Sequence, residues 1–153
     1  MTERVLIIGA GIAGLCCALA LGRSGREVVI LERDAPPPPG GADEAFRDWK
    51  RNGVGHLRQS HAFLARLRNI LRDDHPALLA ELASNGVRDL SLEGMLSEQQ
   101  RERYQPLPSD AELTILTSRR TTLELVIRRY VETLPNIAIR PGVFVRSLVT
   151  DRT

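Results

Sequence analysis

Runs of apolar residues at the start of the chain are short, closely spaced and separated by glycine. Arg4-Val5-Leu6-Ile7-Ile8 is continuous rather than alternating, the pattern of a parallel strand buried on both faces. A glycine turn follows, and Ile12 to Ser24 then has the length and composition of a helix, ended by Gly25. Glu27-Val28-Val29-Ile30-Leu31 repeats the buried-strand pattern and closes at Glu32. Residues 1–34 therefore predict a βαβ unit, in which two parallel strands are joined by a crossover helix.

Regular structure breaks at Pro36 to Gly41, four prolines followed by two glycines. Asp43 to Trp49 is long enough for one or two helical turns, and Asn52 to Gln59 reads as loop. Helical periodicity returns over Ser60 to Asp73, with Phe63, Leu64, Leu67, Ile70 and Leu71 on one face. Pro76 starts the next helix, with Leu78, Leu79, Leu82 and Ala83 in period, and Asn85-Gly86 ends it. Residues 88–112 are polar and carry no clear pattern. Leu113 to Thr117 predicts a strand, and Thr121 to Leu134 an amphipathic helix with Leu123, Val126, Ile127, Tyr130, Val131 and Leu134 along its stripe. Arg128 and Arg129 fall opposite that stripe and are expected in solvent. Ile137 and Ile139 alternate as a strand, and Val143 to Val149 predicts another. The fold class is α/β: a Rossmann-like, doubly wound parallel sheet with a helical insertion after the second strand. By this division 1–34 is the nucleotide unit, 35–112 the loop and helical insertion, and 113–153 a strand-helix-strand continuation.

Composition narrows the partners. At 42% hydrophobic and 26% charged, the 153 residues make one ordinary globular domain. A net charge of +2 is too small to imply nucleic acid or an acidic membrane surface. Val5 to Leu21 is apolar enough to suggest a signal peptide, but its glycines, the preceding Glu3 and its strand-then-helix pattern oppose that, so a cytoplasmic protein is expected. Cys16 and Cys17 are adjacent on a helix and point in different directions, so neither a disulfide nor a metal site follows; packing against the sheet is expected. His56, His61 and His75 lack helical ligand spacing, and no metal is expected.

The candidate chemistry lies in the first turn. Gly9-Ala10-Gly11-Ile12-Ala13-Gly14 matches G-x-G-x-x-G between a predicted strand and a predicted helix, the context that makes the motif informative. Gly9 permits the tight turn, Gly11 lets the backbone approach a pyrophosphate, and Gly14 lets helix and strand pack closely. N–H groups of the first helical turn, around Ile12 and Ala13, then face the phosphates with the helix dipole behind them. Glu32, at the end of the second strand, is spaced to accept from ribose hydroxyls and disfavours a 2′-phosphate, although Arg33 beside it could offset that charge. The bland alternative is a glycine turn that binds nothing. The fingerprint itself is shared by FAD and NAD sites.

The opening VLIIGAGIAGLCCALALGRSGREVVILERD resembles the N-terminus of FAD-dependent oxidoreductases of the para-hydroxybenzoate hydroxylase-type monooxygenase group. GVGHLRQSHAFL (53–64) resembles a G-V-P-Q-x-R-H-x-H-x-L-L segment of some of these flavoproteins, and SRRTTLELVIRRYV (118–131) their S-R-x-x-L-E-x-x-L-R-R-R-V segment. The resemblance implies that Arg120 reaches FAD and that Arg58 and His61 match the arginine and second histidine of the middle segment. Gly55 and His56 stand where Pro-Gln is usual, and Gln59 replaces the first histidine. It implies a flavin-dependent monooxygenase in which NAD(P)H is the reductant and dioxygen supplies one oxygen atom to a small organic substrate. The family's later motifs have no counterpart, so the chain is expected to be an N-terminal part completed by a C-terminal half, inactive alone, with catalytic residues unassigned. An NAD-binding dehydrogenase domain and a non-catalytic fragment are the alternatives.

Overall fold

The structure, a computed structural model, describes residues 3–149. It opens with β1 (Arg4–Ile8), α1 (Ile12–Arg23) and β2 (Glu27–Glu32), the predicted βαβ unit. β1 and β2 pair in parallel from Arg4 opposite Glu27 to Ile8 opposite Leu31. Because the strands run the same way, the turn after β1 and the acid ending β2 meet at one edge of the sheet. The third strand of this sheet is β6 (Ile137–Pro141), parallel to β2 from Val28 opposite Ile137 to Glu32 opposite Pro141. Sheet order is β1-β2-β6.

Between β2 and β6 lie α2 (Ala42–Asp48), β3 (Ser60–Phe63), α3 (Ala65–Asp74), α4 (Pro76–Ser84), β4 (Arg88–Leu90), α5 (Leu92–Met95), α6 (Glu98–Arg101), a 3₁₀ turn over Pro108–Leu113, β5 (Ile115–Arg119) and α7 (Arg120–Glu132). The insertion is therefore not wholly helical. β3, β5 and β4 form a second, antiparallel sheet in that order. Ser60 to Phe63, expected to start a helix, is instead a strand paired with Leu116 to Arg119 of β5. Leu64, assigned to the apolar face, is 72% exposed at the helix start, because the helix begins one residue later. Sequence periodicity alone blurred this boundary, since Phe63 is buried in either conformation.

Helix α7 organises the core. It packs against α1 and α4 on one side and α2 on another, with Leu123, Leu125, Val126, Ile127 and Val131 buried. Each such side chain contributes about 1.5–3 kcal/mol when fully withdrawn from water. With helices on several sides, residues 121–128 are buried all round, which corrects the expectation for Arg128. It is 1% exposed and pairs with Glu132 at 2.9 Å. Arg129 does reach the surface, where it donates to the Gly40 carbonyl.

Two strand expectations also change. β1 is covered on one face only: Leu6 and Ile8 are 57% and 58% exposed, because none of the described helices covers their side of the sheet. Val143 to Val149 forms no strand; Val143 N–H donates to the Glu32 carbonyl at 2.9 Å and the chain then runs irregularly. Asp151 to Thr153 lie outside the described residues. Cys16 is half-buried and Cys17 exposed, so packing accounts only for the first. No helix among the described residues is long and apolar enough to cross a membrane.

Candidate nucleotide-binding site

The strand-to-helix turn after β1 meets three separate physical demands. Gly9 has φ +98°, a left-handed conformation that residues with a Cβ rarely adopt. A Cβ on Gly14 would lie 2.0 Å from the Gly9 carbonyl oxygen, so this position admits no side chain. A Cβ on Gly11 would meet nothing within 4 Å. Gly11 is thus not required by the packing of the chain itself; the space beside it is open. Gly11 is also the N-cap of α1, with extended backbone and no capping side chain, and no acid occupies the first turn. The N–H groups that begin α1, Ile12 and Ala13 among them, lack carbonyl partners within the helix and carry its positive dipole end.

Across from this turn stands Glu32, 4% exposed. Its Oε2 accepts from Ala10 N–H at 2.7 Å, and its Oε1 from Asp34 N–H at 2.9 Å. Arg51 Nη2 adds an ion pair to Oε2 at 3.1 Å. Burial pushes the Glu32 pKa up, but the Asp34 and Ala10 N–H groups and the Arg51 charge outweigh it, leaving the carboxyl below its ordinary value. Glu32 is therefore a fixed anion whose Oε1 has a single partner among the described residues and further capacity to accept.

A cleft of about 300 Å³ runs between these groups, lined by Gly9, Gly11, Glu32, Arg33, Asp34 and Arg51, with Gly53, Val54 and Phe144 also in its lining. Arg51 is a member that sequence inspection missed. It is 8% exposed, lies 5.3 Å from the Trp49 ring centre, and also pairs with Asp34 at 3.7 Å and with Glu124 of α7 at 3.1 Å. Its Nε and Nη1 find no hydrogen-bond partner among the described residues. One arginine among many carries no sequence signal, and only the fold brings it under the ends of β1 and β2. Arg33 lines the cleft with a half-exposed side chain near Asp34.

The remaining predicted residues do not line this cleft. Arg58 is exposed and donates to the carbonyls of Phe46 and Arg47 at 2.8 and 2.9 Å, closing the C-terminal end of α2. Arg120 and His61 meet in a second cluster. Arg120 Nη1 is 2.7 Å from His56 Nε2, and because a guanidinium only donates, that nitrogen accepts. His61 lies 6.2 Å from His56, ring to ring, and burial, Arg120 and His56 together lower its pKa. Arg119, at the start of α7, pairs with Asp43 and lies over the Phe46 ring, so it is tied to α2. The Cys16 thiol is pushed up by burial and by Cys17, away from reactivity.

The two clusters are joined through Glu124. Its Oε2 is 3.4 Å from Arg120, and its Oε1 is 3.1 Å from Arg51. The intervening loop is anchored to α7 by Thr121 Oγ1, which donates to the Leu57 carbonyl at 2.6 Å, and by Arg120 N–H, which donates to the Gln59 carbonyl at 3.0 Å.

The family model described as FAD dependent oxidoreductase (DAO) matches residues 4–125. Among curated proteins, squalene epoxidase of Schizosaccharomyces pombe is 56% identical over 34 residues, 22% of this chain and 7% of its own. A multifunctional alkene reductase/demethylase of Caballeronia cordobensis is 33% identical over 86 residues, 56% of this chain and 13% of its own. Among solved structures, PqsL of Pseudomonas aeruginosa, described as a probable FAD-dependent monooxygenase, superposes with a TM-score of 0.63 at 19% identity. The match covers 98% of this chain and 35% of that one. The p-nitrophenol 4-monooxygenase PnpA of Pseudomonas putida gives 0.56 at 20% identity, over 92% and 32%. The chain thus spans about a third of these structures, and at such identity the likeness is one of fold.

Proposed function

The chain belongs to the FAD-dependent oxidoreductase family, and from that premise we propose that its cleft holds the ADP half of FAD. The observation that carries this reading is the contrast between two glycines: Gly14 is demanded by its neighbour's backbone, whereas Gly11 leaves open space at a helix N-terminus. An anion is the chemistry that such a space accommodates. Glu32 supports the ribose end, as an ionised acceptor suited to hydroxyl donors and repelling a 2′-phosphate. The orphaned donors of Arg51 add capacity for an oxygen-rich ligand.

Gly9, Gly11, Ile12 and Ala13 would hold the pyrophosphate, with Gly14 keeping helix and strand close behind them, and Glu32 and Arg33 the adenosine. Arg120 and His61, with Arg58 holding their loop, would serve the flavin end. Bound FAD would supply hydride acceptance and reactivity toward dioxygen; the residues of this chain bind and orient it. The full reading is monooxygenation of a small organic substrate with NAD(P)H as reductant, supported by the monooxygenases that share the fold.

Titration of the chain with FAD, and separately with NADH, followed by calorimetry and by protein-bound flavin absorbance, tests the cofactor. Saturable FAD binding in preference to NADH is expected. Tight NADH binding without FAD would replace this reading by a dehydrogenase one.

A further inference from the structure

Five ionisable side chains from three segments, the end of β2, the loop at Arg51 and α7, meet beside the cleft. Arg51 Nη2 lies 3.1 Å from Glu32 Oε2 and 3.1 Å from Glu124 Oε1, so a single nitrogen is in ion-pair contact with a carboxylate of β2 and one of α7, although Glu124 Oε1 makes no hydrogen bond among the described residues. Asp34 approaches Arg51 Nε, and Arg120 approaches the other oxygen of Glu124. Glu124 is fully buried, and Arg51 and Glu32 nearly so. Withdrawing that many charges from water is costly, and apolar residues of similar volume would serve packing at least as well. The cost is understandable where the charges fix a geometry.

We propose, resting on the ribose assignment of Glu32, that Arg51 and Glu124 form a positioning relay through which α7 sets the ribose-facing carboxylate and so determines recognition of the ribose hydroxyls. Glu124 does not line the cleft and acts only through Arg51. Arg51 in turn holds Oε2 of Glu32 together with Ala10 N–H, leaving Oε1 as the oxygen with spare acceptor capacity. Without the anion at Glu124, Nη2 is no longer held between two carboxylates; the Glu32 carboxylate keeps its two backbone donors but loses the fixed position of its third partner, the Arg51 guanidinium.

The probes are ADP and 2′,3′-dideoxy-ADP, identical except for the hydroxyls that Glu32 would accept from. Affinities for the chain are read by calorimetry. The wild-type chain should prefer ADP by about tenfold or more, the worth of a hydrogen bond to a charged acceptor. Glu124→Gln, which keeps shape and removes charge, should lower that preference at least threefold, as should Arg51→Lys. A merely structural role would weaken both probes alike and leave their ratio unchanged. Circular dichroism accompanies each variant, and if Arg51→Lys fails to fold, the near-isosteric Glu124→Gln decides alone. A wild-type chain that binds the two probes equally, or neither, would remove the ribose assignment itself. A wild-type preference that survives in folded Glu124→Gln would overturn the relay and leave that assignment standing.

Discussion

At the scale of single residues, the glycine turn separates what folding requires from what a ligand requires. A methyl group at position 14 would sit 2.0 Å from the Gly9 carbonyl, so helix and strand must move apart to admit it. Gly14→Ala should cost about 1–3 kcal/mol, as overpacking does, visible as a lowered melting temperature before any ligand is added. Gly11→Val meets open space, and its extended backbone suits any residue. That variant should melt within a few degrees of wild type, the cost of a less favourable N-cap, yet lose FAD binding, because the side chain would occupy the proposed place of the pyrophosphate. Retained FAD affinity in Gly11→Val, read by the same titration, would move the phosphate site elsewhere. The motif Gly9 to Gly14 was legible in the sequence because its demands are local. Arg51 was not, since its partners Glu32 and Glu124 lie 19 and 73 positions away.

At the scale of elements, the loop over residues 51–59 decides where the site's arginines go. Resemblance placed Arg58 with the cofactor, whereas its side chain closes α2 by donating to the carbonyls of Phe46 and Arg47. Arg58→Ala should therefore cost about 1 kcal/mol and lower the melting temperature by about 2–4 °C. FAD affinity should change by less than threefold; a loss of tenfold or more at unchanged stability would show a direct contact instead. The strand Ser60 to Phe63 was hidden for a related reason. Four residues are too short for a reliable period, and what makes them a strand is the hydrogen-bonding edge of β5, more than fifty residues later. α7 shows the opposite case: its apolar stripe was evident, but the partners that bury its other faces, and with them Arg128 and Glu124, come from elsewhere in the chain.

At the scale of the whole molecule, the buried charges give stability a two-sided dependence on pH. Burial raises the Glu124 carboxyl above the ordinary 4.5, against the attraction of Arg51 and Arg120. Its ionisation therefore opposes folding, and acidification from neutrality through its raised range should stabilise the chain. Glu32 is shifted the other way: its contribution is present above 4.5 and is lost as pH falls through its depressed value. His61 and His75, whose pKa values burial lowers, act against Glu124 as pH falls below 6.5, so a neutral variant is needed to isolate it. The melting temperature of wild type relative to Glu124→Gln should rise as pH falls from 7 toward 4.5, and below 4.5 both chains should lose the contribution of Glu32. A difference between the two chains that stays constant from pH 7 to 4.5 would contradict the assignment of Glu124. The uncovered face of β1 makes a separate prediction. Leu6 and Ile8 are more than half exposed beside a strand edge that pairs with no other described strand, so the chain should self-associate with rising concentration. Sedimentation of a Leu6→Thr/Ile8→Thr variant should show that tendency reduced.

By itself the sequence determined the βαβ unit, the glycine turn, the acid that faces it and the main helices, because each depends on residues within a few turns of one another. Apolar period, glycine geometry and the end of a strand are local properties, and they fix that end of the parallel sheet before any distant contact forms. Only the tertiary structure decided that β3, β4 and β5 form a second sheet, that Arg128 is buried, and that Arg51 bridges Glu32 to Glu124. Strand pairing and buried ion pairs take their energy from partners distant in the chain. Until the fold brings those partners together, such a charge is no different from any arginine or glutamate in water.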